Sequence, residues 1–126
     1  MEETRFEKGM RVRREVLGDA HVDKALAKQT GFDAVFQQFV TEVPWGTLWC
    51  RPDLDRRTRS MVTIAILAAL GREEELALHI KASQNTGVQP NEIAEVLLHV
   101  AVYAGVPAAN SAFALAKKVL SEVGQP

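Results

Sequence analysis

Between Met61 and Leu70 the chain reads MVTIAILAAL, apolar at every position except Thr63. The flanks of this run are those of a helix: Asp55 is placed to cap it and Gly71 to stop it. The pattern predicts a helix over Arg56 to Leu70. Its second half is apolar on all sides and has to be covered on all sides, either centrally or at a subunit contact. A chain of 126 residues has little interior in which to hide such an element, so a partner subunit is a natural cover.

The remaining breakers divide the chain into further helices. Residues 2–17 are polar and helix-prone and stop at Gly18, and a short helix from Asp19 or Ala20 to Lys28 follows. Phe32, Val35, Phe36, Phe39, Val40 and Val43 recur as one apolar stripe of an amphipathic helix, which Pro44 is expected to end. Pro44 to Leu54 (PWGTLWCRPDL) has no period and reads as an ordered loop. Arg72 to Thr86 forms a helix closed by Gly87. Pro90 opens another, which runs to Ala104, and Pro107 starts the last, ending near Gly124. The expectation is an all-α, single-domain helical bundle over residues 1–126.

Composition narrows the function. A formal net charge of −1 lacks the basic excess of a general nucleic-acid binder. The single cysteine, Cys50, excludes an internal disulfide and an all-cysteine zinc site, and reads as a passive member of the Trp-containing loop. The N-terminus alternates charges and lacks the apolar core of a signal peptide, and Ile64 to Leu70 is far too short to span a bilayer. A cytoplasmic domain without membrane or nucleic-acid partners is expected.

Three features carry possible chemistry. RPDLDRRTR, Arg51 to Arg59, holds four arginines in nine residues. Arg56 and Arg59 share a helix face at its positive end, where guanidiniums can grip carboxylates bidentately; the plainer reading is a solvated helix start with local Arg–Asp pairs. His79 lies between Leu78 and Ile80 and is either a proton donor in a cleft or an ordinary helix histidine. Glu95, His99 and Tyr103 line one side of an otherwise apolar helix, as a proton-handling pocket or as a polar seam between helices or subunits. His79, His99 and Glu95 are ligand types, but no motif has metal-site spacing, so no metal is expected.

The order and content of three blocks resemble the carboxymuconolactone decarboxylase family of the alkylhydroperoxidase D-like superfamily. They are WCRPDLDRRTRS (Trp49 to Ser60), ELALHI (Glu75 to Ile80) with NTG (Asn85 to Gly87), and EVLLHVAVYAGVPAAN (Glu95 to Asn110). The resemblance runs the length of the chain. It implies the alkylhydroperoxidase D-like bundle of about six to seven helices. Redox members of the superfamily relay through a CxxC pair, a histidine and a glutamate. In register on His79 the cysteines would fall at Arg72 and Glu75 and the glutamate at Ser60, so peroxidase chemistry, which needs two thiols, is excluded.

The decarboxylating branch implies a small dicarboxylate lactone substrate: 4-carboxymuconolactone from protocatechuate breakdown (the β-ketoadipate pathway), converted to 3-oxoadipate enol-lactone and CO2. No cofactor is implied, because the departing carboxylate connects through the ring alkene to the lactone carbonyl, which takes up the electron pair. On this resemblance Arg51, with Arg56 or Arg59, anchors carboxylates. His79 is the first choice as proton donor or oxyanion stabiliser. His99 and Tyr103 contribute to the pocket with Glu95 as partner, and Trp45 and Trp49 wall it. The family also implies a homo-oligomer, a hexamer. The competing readings are a relative acting on another small carboxylated lactone and a non-catalytic, small-acid-binding helical oligomer.

Overall fold

A computed structural model describes residues 2–124. They form seven α-helices and no strand: α1 (Arg5–Leu17), α2 (Asp19–Ala27), α3 (Ala34–Val40), α4 (Arg56–Leu70), α5 (Glu73–Thr86), α6 (Pro90–Tyr103) and α7 (Val106–Glu122). A π-helical segment, Thr41–Leu48, continues α3. The all-α expectation holds. The chain divides at Asp55/Arg56 into two compact units.

In the first unit a capping box opens α1: Thr4 Oγ1 accepts from the Glu7 amide at 3.0 Å, and Glu7 Oε1 accepts from the Thr4 amide at 3.1 Å. The helix therefore starts at Arg5, not at residue 2. Although polar in composition, it buries one face made of Gly9, Val12, Arg13 and Val16 and packs along the π-helical segment. The approach is close because two glycines face it. A Cβ at Gly9 would strike the Thr41 carbonyl oxygen, and one at Gly46 would lie 2.5 Å from the Arg5 carbonyl oxygen.

Pro44 does not end the helix as expected. Proline removes an amide and crowds the carbonyl one turn back, which an α-helix meets by stopping or kinking. Here the ladder widens instead: the Trp49 amide donates to Pro44 O at 2.9 Å, a five-residue step. Side chains repeat that step. Thr47 Oγ1 donates to Glu42 O at 3.0 Å, and Cys50 Sγ donates to Trp45 O at 3.2 Å. Much of the expected loop is thus helical. The stripe ahead of it is not core: α3 has no buried residue, and Phe32 (94% exposed), Val35, Phe36 and Phe39 face outward in the single chain.

In the second unit four helices form a ring in which α4 packs on α5 and α6, and α7 packs on α6 and α5. Ile64, Leu76, Ile80, Ile93 and Leu97 are fully buried at its centre, with Ala68, Ala112 and Ala116 letting the helices approach. Pro90 opens α6, and Glu92 Oε1 accepts from the Gln89 amide at 2.9 Å. The same carboxylate pairs with Arg57, tying the start of α6 to α4. Gly87, at φ 87°, takes the left-handed conformation that closes α5. Of the two covers expected for Met61 to Leu70, the central one is not found within one chain. Ile64 and Ala68 point inward, but Val62, Ile66 and Leu70 are exposed, because a ring of four helices covers α4 on one side only.

Candidate active site

The first unit holds Trp49 and Arg51. Trp45 and Trp49 are both buried, with ring centroids 4.9 Å apart at 33°. Arg51 is exposed and lies 3.5 Å from Asp53, the local pairing that the segment invites. The second unit holds the other candidates. Arg56, in the first turn of α4, is half-buried; Arg59, one turn on, is 9% exposed, and the spacing puts both on one face. Arg57 points elsewhere, to Glu92.

His79 sits mid-way along α5, half-buried, with Nδ1 closed off from solvent. Its helix neighbours Leu76 and Ile80 are fully in the core. An imidazole at that border has one side fixed by packing and another able to meet a ligand, as proton transfer to a bound molecule requires.

Glu95, His99 and Tyr103 do line up along α6, and the His99 and Tyr103 rings stack at 4.9 Å and 26°. All three are exposed, Tyr103 at 80%. Helix α5 packs on α4 and α7, and not closely on α6, which carries this seam. A cavity of about 500 Å³ between α6 and α7 is lined by Ile93, Leu97, Phe113 and Leu120 with Asn110 and Lys117, and by none of the candidates. Among the described residues no three His, Cys, Asp or Glu side chains gather closely enough to hold a metal ion, and no helix is long and apolar enough to cross a membrane.

Comparison with known proteins decides the kinship. The model of the carboxymuconolactone decarboxylase family matches residues 34–118, across both units and all of the candidate residues. A 4-carboxymuconolactone decarboxylase of Acinetobacter baylyi is 46% identical over 98% of this chain and 92% of its own length. The chain belongs to the carboxymuconolactone decarboxylase family. A nitrosuccinic acid decarboxylase of Metarhizium robertsii is 39% identical over 94% of this chain and 82% of its own. A 4-carboxymuconolactone decarboxylase of Pseudomonas putida is 52% identical over 32% of this chain and 83% of its own.

The first unit also buries a cation that its sequence does not announce. Arg13 is 4% exposed on α1, among Gly9, Val12 and Val16. The available signal is the spacing of Gly9, Val12 and Val16, which marks a buried face inside a helix that reads as polar.

Proposed function

We propose that this protein is a carboxy-lyase that decarboxylates 4-carboxymuconolactone to 3-oxoadipate enol-lactone and CO2. The observation that carries the reading is the near full-length relation to the Acinetobacter baylyi decarboxylase, at 46% identity. In this reading residues 1–126 act as one functional domain.

The carbon–carbon bond to the departing carboxylate breaks, CO2 leaves, and its electron pair passes through the ring alkene onto the lactone oxygen as a dienolate. A proton then returns to the ring carbon next to the carbonyl, giving the enol-lactone. The protein therefore has to hold a dianion, stabilise the growing oxyanion and supply one proton. His79 supplies that proton. Arg51, with Arg56 or Arg59, holds the carboxylate that stays, since a firm grip on the departing one would oppose its loss. Trp49 and Trp45 keep water from the reacting atoms. The Metarhizium robertsii relative supports the broader class, because in nitrosuccinic acid the nitro group is also a built-in electron sink.

The protein works as a homo-oligomer, a hexamer in the family's manner. The exposed apolar side chains of α3 and α4 support this, since an isolated soluble chain seldom keeps so many. Glu95, His99 and Tyr103 join the site in a pocket that a second copy helps to close. Light scattering should return a mass several times that of the chain, and a monomer would remove this part of the reading.

The function is tested by supplying freshly generated 4-carboxymuconolactone and following CO2 and the product's ultraviolet absorbance. Accelerated CO2 release with enol-lactone formation is expected; an assembled protein that leaves the lactone unchanged refutes the reading. Arg51→Ala should raise KM about tenfold or more, the loss of one charge-assisted contact worth about 1.5–3 kcal/mol. An unchanged KM would take Arg51 out of the anchor.

A further inference from the structure

Helix α1 distributes its ion pairs in the opposite sense to ordinary economy. Exposed Arg11 pairs with Glu3 at 3.0 Å and Glu15 at 3.2 Å. Arg14 pairs with Asp19 at 3.0 Å and Asp23 at 2.9 Å. Arg13, the buried one, has no carboxylate. Its Nη1 donates to two neutral oxygens, Gln37 Oε1 at 3.2 Å and Thr41 Oγ1 at 3.3 Å, and its buried Nε has no partner. Burial, aided by the charge of Arg14, pushes its pKa down, yet a guanidinium stays protonated in proteins. The cation is thus held away from water with less than its share of acceptors.

Gln37 and Thr41, the two groups that hold Arg13, also line a cavity of about 230 Å³ whose apolar wall includes Phe6 and Leu26. Gln37 further borders a second cavity, of about 380 Å³, lined by His21, Lys24 and Lys28 with Asp33. The surroundings of Gln37 are therefore rich in positive charge, and the space beside it suits a molecule of a few carbons.

We propose that the cavity beside Arg13 is a carboxylate-binding site, in which an entering carboxylate replaces the Gln37 amide oxygen on Nη1 and supplies the missing counter-charge. The exchange substitutes a charged acceptor for a neutral one, and the freed Gln37 side chain can donate its own N–H to the newcomer. The carboxylate comes either from a small free acid or from a side chain of a second copy of this chain. The site uses none of the residues assigned to decarboxylation.

The test is thermal unfolding of the whole protein, with chloride exchanged for acetate or propionate at constant ionic strength, for the wild type, Arg13→Met and Gln37→Glu. Gln37→Glu places a carboxylate beside Arg13 permanently, so it should ignore the acids, and it should melt above a wild type whose site is empty in chloride. If the source is a free acid, the wild type gains roughly 5 °C at ten times the Kd, and Arg13→Met gains nothing. If it is a side chain of a second copy, the wild type does not respond, and Gln37→Glu, which displaces that side chain, lowers the mass seen by light scattering without melting higher. A Gln37→Glu protein that melts at or below the wild type in chloride with its mass unchanged overturns the proposal, as does an Arg13→Met protein that gains from acetate as much as the wild type does. Should Arg13→Met not fold, the comparison of wild type with Gln37→Glu still decides.

Discussion

Replacing His79 with alanine should lower kcat for decarboxylation by about a hundredfold to ten-thousandfold, the range that a positioned proton donor contributes. KM should move little, because in the proposed mechanism the arginines, not the imidazole, hold the substrate's charge in both ground and transition states. The fold should survive: His79 is only half-buried, and the core contacts of α5 come from Leu76 and Ile80. His79→Gln separates the two roles assigned to the imidazole. A glutamine amide donates a hydrogen bond to an oxyanion but gives up no proton, so partial activity in that variant would assign His79 to oxyanion stabilisation. A lost proton donor leaves both variants equally slow. The measurement is steady-state CO2 release with circular dichroism of each variant alongside, and an alanine variant with wild-type kcat would remove His79 from the mechanism.

The sequence makes the second unit far more legible than the first. Gly71, Gly87, Pro90, Gly105 and Pro107 punctuate α4 to α7 by strong local rules, and the observed bounds follow them within a residue or so. In the first unit the local rules compete with packing. Pro44 is a reliable stop signal for an α-helix, but it does not distinguish stopping from widening, and the carbonyls of the wider ladder are met by Thr47 and Cys50, whose side chains reach back five residues. The stripe from Phe32 to Val43 and the apolar second half of α4 are both legible in the sequence as apolar surfaces. Periodicity says which face is apolar and not what covers it, and the single chain leaves both exposed.

Of the candidate site, residue type and family resemblance select His79 and the arginines. The distance between α5 and the seam of α6 depends on the order of helices around the ring, which no local pattern encodes. Arg13 escapes notice for a related reason. Arginine on a polar helix is nearly always solvated, and its burial follows from how near Gly9 lets the π-helical segment come.

Gly9→Ala should lower the stability of the first unit by about 2 kcal/mol, a shift of several degrees in its melting midpoint. Two effects oppose each other, and the sign is the test. Gly9 lies inside α1, where alanine is favoured over glycine by about 1 kcal/mol, so helix propensity alone predicts a more stable protein. Against this, the new methyl strikes the Thr41 carbonyl oxygen and comes 2.9 Å from the Gly46 amide nitrogen. Both obstacles are backbone and cannot rotate aside, so α1 and the π-helical segment have to move apart, an overpacking cost of about 3 kcal/mol or more. That separation also loosens the contact of Arg13 with Thr41 Oγ1, now 3.3 Å. Gly31, in a turn, is the control for a methyl added without a clash, since a Cβ there meets nothing within 4 Å. The chain's two tryptophans, Trp45 and Trp49, both lie in this unit, so their fluorescence reports its unfolding. A Gly9→Ala protein that melts above the wild type would mean that the helices yield readily and that close glycine packing does not set the position of the π-helical segment.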